Sequence, residues 1–500
     1  MLVTPLHPAA GRARAEGPLV AATRPAVWIL VAFGILKVQA DPDLWGHLRF
    51  GLDLLAERML TATDPYSFTQ DAPWTNHEWL SELIMAIAYR TGGTFGLLTL
   101  KAVLAGATFH LVAGAVRPAS PALRRLALAL AVWGALGITG TVRPQLFTLL
   151  FLAVLGRVLL AWEARRGGRW IFALPVLFAL WANLHGGWIV GLGVLGVWSA
   201  ATRLEPRDSR LPLGPVVAIG ALSLLATLVN PYGWRLWAFI AGTVRLSRAD
   251  ITEWQPIWHD GWGSILQWGT TAAFVLFVLW RWRRRRLGAI AVTAMLAYAS
   301  LQVNRLVPLF MEMAVILLAP HLPRMQAAAM PASLRARTFV DVLVTAAAIV
   351  LAAQTSVLPR CVAMAGRWVP DVTAASALKS AGAKGRLVTW FDWGEYAIWH
   401  LSPGLKVSID GRRETVYSAR TLEEQRAIGR GEPAGLAALE RLSPEYVWLP
   451  HPRSGRTAAW LRENRYRIDV QTERSFVAVR DDLPVITLPS FEPTRCFPGP

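Results

Sequence analysis

Charge is what this 500-residue chain has least of: Asp, Glu, Lys and Arg together make up 17%, where soluble domains carry about a quarter. Hydrophobic residues make up 54% and mean hydropathy is positive, so a bilayer rather than water is the default surrounding. Acidic residues are the scarcer sign, 33 against 51 Lys and Arg. A net charge of +18 could suit nucleic acid, but its distribution argues against that partner. The bases fall in short clusters between apolar runs: Arg124-Arg125, Arg165-Arg166, Arg281 with Arg283 to Arg286, and Arg335 with Arg337. This is the positive-inside pattern of cytoplasmic loops, and no nucleic-acid partner is expected. Cysteine is nearly absent; Cys361 and Cys496 lack metal-type spacing and leave a disulfide and two buried thiols both open. The chain has no His-Glu-x-x-His pattern, no phosphate-cradling Gly-Lys loop, no Gly-x-Ser-x-Gly elbow and no internal repeat, which removes the commonest hydrolase and nucleotide-binding readings.

Tryptophan, at 24 residues, is abundant, as expected where rings sit at both membrane interfaces. Apolar runs long enough to span, or nearly so, occur at 25–40, 94–116, 123–139, 145–163, 170–184, 187–202, 214–230, 264–280, 288–303, 306–322 and 338–358, about eleven transmembrane helices. The first follows Arg12, Arg14 and Arg24 without a convincing small-residue cleavage site, so it reads as a retained helix. Placing the basic clusters inside puts the N-terminus in the cytoplasm and the C-terminus outside a bacterial-type inner membrane.

Under that topology residues 1–24 form a cytoplasmic segment and 25–358 a transmembrane domain with outer loops at 41–93 and 231–263. The first loop carries Asp41, Asp43, Asp53, Glu57, Asp64, Asp71, Glu78 and Glu82. Segments 44–60 and 78–90 have helical apolar spacing with charged faces and should lie along the membrane surface. Residues 359–500 form an extracytoplasmic unit and tail. Short β-rich runs (Gly385 to Trp390, Lys406 to Ile409, Tyr446 to Leu449, Phe476 to Val479) alternate there with helical stretches (Thr373 to Ala381, Thr421 to Gly429, Arg456 to Asn464), which predicts a small α/β domain.

Polar groups near hydrocarbon are costly, and those of the apolar half fall at outer helix ends: Arg143-Pro144-Gln145, Asn183 with His185, Asn230-Pro231-Tyr232 and Asn304-Arg305. Singly, Asn-Pro and His-Gly-Gly do no more than end helices. Together with the acidic loop they point to one outward-opening cavity. Asp41 and Asp43 follow the first membrane helix directly, where water meets low dielectric and a carboxylate can be tuned toward general-base work; the plain alternative is a helix N-cap. His77 and Glu78 can carry protons or, beside Asn76, cap the helix that follows.

An acidic motif after the first helix, a long outer loop, many helices and an outer C-terminal domain resemble the C-type (GT-C) glycosyltransferase superfamily. Asp43-Leu44-Trp45-Gly46-His47-Leu48-Arg49 is similar to the first-loop aspartate motif of oligosaccharyltransferase catalytic subunits. Trp390-Phe391-Asp392-Trp393-Gly394 resembles their WWDYG signature, and Ser408-Ile409-Asp410-Gly411-Arg412 follows where they have a strand and an Asp-containing turn. Ile251-Thr252-Glu253 is similar to a short Glu motif of their mobile loop. The resemblance departs in one place: the acidic pair that helps those enzymes hold a divalent metal is here Gly140-Thr141-Val142-Arg143, without an acid. A basic residue there suits a phosphate better than a cation, so no residue is assigned to a metal and a divalent ion is the one cofactor in question.

The resemblance implies a membrane glycosyltransferase moving a sugar from a polyprenyl-phosphate-type lipid donor to an outer acceptor, with inversion at the sugar, in the making of a cell-envelope glycan. The expected base is Asp43, with Asp41 second. Arg143 and Arg305 are the expected donor-phosphate ligands, since guanidinium groups pair bidentately with phosphate; the alternative for each is snorkelling to lipid headgroups. His47, His77, Glu78, Glu253 and Asp392 are accessory or acceptor-side candidates. A lipid or glycan flippase would call for inverted repeats and midplane charges, and a non-catalytic scaffold would explain the missing acidic pair; both stay open.

Overall fold

A computed structural model describes residues 28–119, 121–164, 168–207, 210–243, 248, 251–281, 286–321, 361–366, 368–488 and 496–499. Residues 1–27, the run at 338–358, and the clusters at Arg165-Arg166, Arg283 to Arg285 and Arg335/Arg337 lie outside the described residues.

Helix α1 covers 28–36. After it come α2 (Leu44–Glu57), α3 (Trp79–Ala115), α4 (Pro121–Thr139), α5 (Gln145–Glu163), α6 (Ala173–Leu184), α7 (Trp188–Thr202), α8 (Leu213–Ala226), α9 (Trp234–Thr243), α10 (Trp262–Arg281), α11 (Leu287–Gln302) and α12 (Val307–Leu318). Each apolar run between 94 and 322 thus becomes a helix within a few residues of its expected ends. Among the described residues three helices, Trp79–Ala115, Gln145–Glu163 and Trp262–Trp280, are long and apolar enough to cross a membrane by length and composition. Four more apolar helices are shorter. α3 is two helices in sequence: Gly93, at φ 55° and ψ −142°, breaks it between a charged-faced segment and an apolar one, a conformation glycine adopts without steric cost.

α12 reads Val-Pro-Leu-Phe-Met-Glu-Met-Ala-Val-Ile-Leu-Leu, and every residue from Leu309 to Leu318 is buried. Apart from the buried Glu312 the helix is apolar on every side, as a helix inside a bundle is, and α12 packs there against α4, α5, α10 and α11. Outward-facing helices instead expose large apolar side chains, among them Val217, Leu222, Leu225, Leu266, Leu276 and Val103. Exposed apolar surface on this scale is what lipid contact leaves on a protein.

The C-terminal unit is built on a five-stranded sheet of order β2-β1-β3-β5-β4. β1 (Gly385–Thr389) runs parallel to β2 (Leu405–Val407) and to β3 (Tyr446–Pro450); β5 (Ser475–Arg480) is antiparallel to β3 and to the edge strand β4 (Tyr466–Gln471). Expected strands correspond to β1, β2, β3 and β5, and the three expected helices to Val372–Ser380, Ala419–Arg430 and Gly455–Glu463. β4 and the helices Gly394–Leu401 and Pro433–Leu442 were not foreseen.

This unit and the segment between α1 and α3 share one core. Trp45 of α2 is fully buried against Trp368, Tyr396 and Phe497, and its Nε1 donates to the Pro498 carbonyl at 2.7 Å. Val407 of β2 exchanges backbone hydrogen bonds with the loop, donating to Tyr66 O at 2.9 Å and accepting from Phe68 N at 3.1 Å. Cys361 and Cys496 form a disulfide, closing the question their spacing left open.

The strongest polar bond between the two lies on Arg412. Its guanidinium is bidentate to Asp64, at 2.8 Å twice, and also pairs with Asp410 at 2.7 and 2.9 Å. Tyr417 donates to Asp410 at 2.7 Å, and the guanidinium lies 4.8 Å from the Phe50 and Trp74 ring centroids. Burial would raise the Asp410 carboxyl, but Arg412 and the Tyr417 hydroxyl hold it below the ordinary range.

Candidate functional site

A cavity of about 500 Å³ lies where helix ends meet the loop between α1 and α3 and the C-terminal unit. Asp41, Asp43, His47, His77, Glu78, Arg143, Glu253, Arg305 and Asp392 all line it. Residues spread over 350 positions of sequence thus converge on one space, although the geometry alone assigns none of them a role.

Asp41 and Asp43 sit in the turn between α1 and α2. Asp43 holds the N-cap position of α2, yet its side chain makes no capping bond. The carboxylate instead meets the Arg143 guanidinium, which reaches in from the turn before α5. Asp41 lies 3.0 Å from Arg143 Nε and accepts from the Asp43 backbone N–H at 3.0 Å. Burial, aided by the nearby Asp43 charge, outweighs Arg143 and pushes the Asp41 carboxyl up to about 6. The third side of Arg143 faces Glu253, with Nη1 4.0 Å from Oε2. Glu253 Oε1 in turn receives Arg305 Nη1 at 3.0 Å, and the Arg305 guanidinium lies 5.3 Å from the Trp254 ring. The result is a row of alternating charge: Asp41 and Asp43, Arg143, Glu253, Arg305.

A second row lines the neighbouring wall. Glu78 holds the N-cap position of α3 without a capping bond, and its N–H donates to Asn76 Oδ1 at 3.2 Å; His77 and Glu78 both line the cavity. Three imidazoles surround Glu78: His185 at 3.6 Å, His77 at 3.7 Å and His47 at 4.0 Å. His185 is held from behind, its Nδ1 3.1 Å from the Gly187 N–H that donates to it and 2.6 Å from the Thr148 hydroxyl, which accepts from Trp181 Nε1 at 2.9 Å. Burial lowers the His185 pKa to about 3, against the pull of Glu78; the ring is neutral, and with Nδ1 accepting, Nε2–H faces Glu78. Burial acts on His47 in the same sense, but the hydrogen bond to Glu82 at 3.1 Å and the Glu78 and Glu82 charges overcome it and raise its pKa to about 9. Folding therefore favours charged His47. Its contribution to stability is complete below the ordinary histidine value of about 6.5 and is lost as pH rises toward about 9. We expect thermal stability in detergent to fall across that window in the wild type and to fall less in His47→Gln; equal slopes would remove His47 as the cause.

Sequence reasoning passed over Glu395, the residue directly after Trp390-Phe391-Asp392-Trp393-Gly394. It is buried, lines the cavity and accepts from the Gly46 N–H at 3.1 Å. Burial, with Asp43 and Asp410 adding to it, raises its pKa well above the ordinary range. The signal that could have found it was adjacency to that motif. Gly411 supplies the space between: a Cβ there would lie 2.4 Å from Asp43 Oδ1 and 2.7 Å from Glu395 Oε1. Gly411→Ala should displace the Asp43 carboxylate and cost at least tenfold in activity with membrane expression unchanged; a wild-type rate would show that the two acids are free to move apart. Asn183 and Asn230 turn out to brace the site. Asn183 Oδ1 accepts from Trp79 Nε1 at 2.9 Å, and Asn230 Oδ1 accepts from Tyr232 N at 2.8 Å, while the Tyr232 hydroxyl receives Asn76 N at 2.9 Å.

The first-loop acid pair does not fit a divalent cation. The position between Asp41 and Asp43 is filled by the Arg143 guanidinium, and among the described residues no three His, Cys, Asp or Glu side chains are grouped to hold an ion.

No protein-family model and no curated protein sequence matches the chain. Solved structures do. The chain is similar to ArnT from Cupriavidus metallidurans bound to undecaprenyl phosphate, with 13% identity and a TM-score of 0.52 over 93% of this chain and 98% of that one. It is also similar to the arabinofuranosyltransferase AftD from Mycobacteria, with 16% identity and a TM-score of 0.51 over 92% of this chain. It spans 40% of the length of that larger protein.

Proposed function

With a fold that is GT-C-like by its similarity to two membrane glycosyltransferases of that superfamily, we propose that the chain transfers a sugar from a polyprenyl-phosphate-type donor to an acceptor on the extracytoplasmic face. The proposal includes about eleven spans, a cytoplasmic N-terminus and an outer unit over 359–500, a topology with which the basic clusters are consistent. One observation carries it: carboxylates and two arginines share one cavity with a set of apolar side chains. Ile138, Ile189, Val190, Phe239, Ile240 and Leu309 line it together with Asp43, Arg143 and Arg305. A lipid phosphate has these two needs, a dry path for the chain and guanidinium groups for the head. That an ArnT structure holds undecaprenyl phosphate in a similar fold supports the same reading.

In the proposed reaction the acceptor hydroxyl gives its proton to Asp43 as its oxygen bonds to the anomeric carbon. The bond from that carbon to the phosphate oxygen breaks, the electron pair leaves with the lipid phosphate, and Arg143 and Arg305 face the charge that develops. Attack opposite the leaving group inverts the anomeric centre. His77, Glu78 and Asp392 line the remaining wall, where an acceptor would lie.

Binding of undecaprenyl phosphate to the purified protein, followed by native mass spectrometry, tests the phosphate assignment. Arg305→Ala should weaken it about tenfold or more, the worth of one charged hydrogen bond at 1.5–3 kcal/mol. Unchanged affinity would remove Arg305 from the phosphate site.

A further inference from the structure

Glu253 is the one acid of the row that comes from the second outer loop, and its two oxygens are divided between the two arginines. Oε1 pairs with Arg305 at 3.0 Å and Oε2 faces Arg143 at 4.0 Å. It is also the least buried of the five, at 39% side-chain exposure against 24% for Arg305 and 19% for Arg143. A carboxylate bridging two guanidiniums presents the charge and the paired oxygens that a phosphate would present to them. We propose that Glu253 is an internal stand-in for the lipid phosphate, giving up Arg143 and Arg305 when the phosphate binds and reclaiming them when the product leaves. This rests on the phosphate site of the preceding section.

The surroundings favour exchange over permanence. Arg143 keeps Asp41 and Asp43 as partners whether or not Glu253 is present. Arg305 keeps the face of Trp254. Neither arginine is therefore left without a neighbour in the interval between anions. The neighbouring segment stays anchored independently of Glu253: Asn304 N donates to Gln255 O at 2.9 Å, and Gln255 Nε2 donates to Arg248 O at 2.8 Å. Only the carboxylate has to turn.

The chemistry of the two ligands gives the exchange a direction. A sugar linked through phosphate to a polyprenol is a diester with one negative charge, whereas the polyprenyl phosphate left after transfer is a monoester approaching two. Two arginines would hold that product tightly. An internal carboxylate competing for the same nitrogens weakens the hold, and it does so at the step where the product must depart. Glu253 would thus raise turnover by loosening product rather than by touching the reacting carbon.

Undecaprenyl phosphate binding to full-length wild type, Glu253→Gln and Glu253→Asp, with Arg305→Ala alongside, is the test. Glu253→Gln keeps the shape and removes the charge, so it should bind about tenfold tighter than wild type, in line with losing one competing charge near a protein surface. Glu253→Asp should stay near wild type. Inorganic phosphate should show the same ratio at far lower affinity, because it brings the head without the chain. Equal or weaker binding by Glu253→Gln, with wild type still binding and Arg305→Ala impaired, would overturn the stand-in and leave the phosphate site intact. No effect of Arg305→Ala in the same series would overturn the phosphate site itself, and the stand-in with it.

Discussion

Asp43→Asn should lower the rate of sugar transfer by about 10²–10⁴-fold, the usual worth of a positioned general base, with the protein folded and in the membrane. The amide keeps an oxygen toward Arg143 but cannot take a proton from a hydroxyl. Folding should tolerate the change, because the Asp43 side chain makes no capping bond at the start of α2 although it occupies the cap position. What the carboxylate does instead is face Arg143 inside the cavity. Turnover of a polyprenyl-phosphate sugar by purified wild type and variant checks this. A wild-type rate in Asp43→Asn would return the residue to a structural role and leave the base to be sought elsewhere in the row.

The largest effect on stability is expected from Arg412→Ala. The substitution leaves Asp64 and Asp410 buried without their counter-charge, and breaking one partner of a buried ion pair costs about 3–5 kcal/mol. The two carboxylates belong to different parts of the chain, one to the loop between α2 and α3 and one to the C-terminal unit, so the loss should loosen the seam between them. Arg412→Lys should not rescue it, since one ammonium cannot serve the bidentate Asp64 contact and Asp410 together. The unfolding midpoint in detergent and limited proteolysis of the 41–78 region report the effect. A midpoint within error of wild type would mean that the apolar core around Trp45 holds the seam unaided.

Much of the membrane half was legible because a span is a matter of length and hydropathy, which a sequence displays directly. The ends of 145–163 were read to the residue. The C-terminal unit was legible where strands were uninterrupted by charge, as in Tyr446–Pro450. β4 was missed because Tyr466–Gln471 carries Arg467 and Asp469, which an edge strand tolerates and a pattern search discounts. Gly394–Leu401 was missed because its glycine start is read as a stop; here it brings the helix backbone against Ile409, where a Cβ would lie 2.1 Å from the carbonyl oxygen.

The nine candidate residues were chosen from local motifs and from the single face they should share, and they do meet in one cavity. Their pairing could not be read that way. Nothing local to Arg143 says that it lies against Asp41 and Asp43, a hundred positions away, nor that Glu253 bridges it to Arg305. Glu395 escaped for the same reason: its environment is assembled from Gly46 and Gly411 in other segments. Long-range charge pairing is a property of the packed fold, and local sequence carries little of it.

The most direct test deletes the gene in its host, profiles lipid-linked sugars and envelope glycans by mass spectrometry, and complements with wild type and Asp43→Asn expressed to equal levels. A sugar that disappears on deletion and returns only with the wild type is the predicted result. An unchanged glycan profile on deletion, or full restoration by Asp43→Asn, would contradict a transferase that works through Asp43.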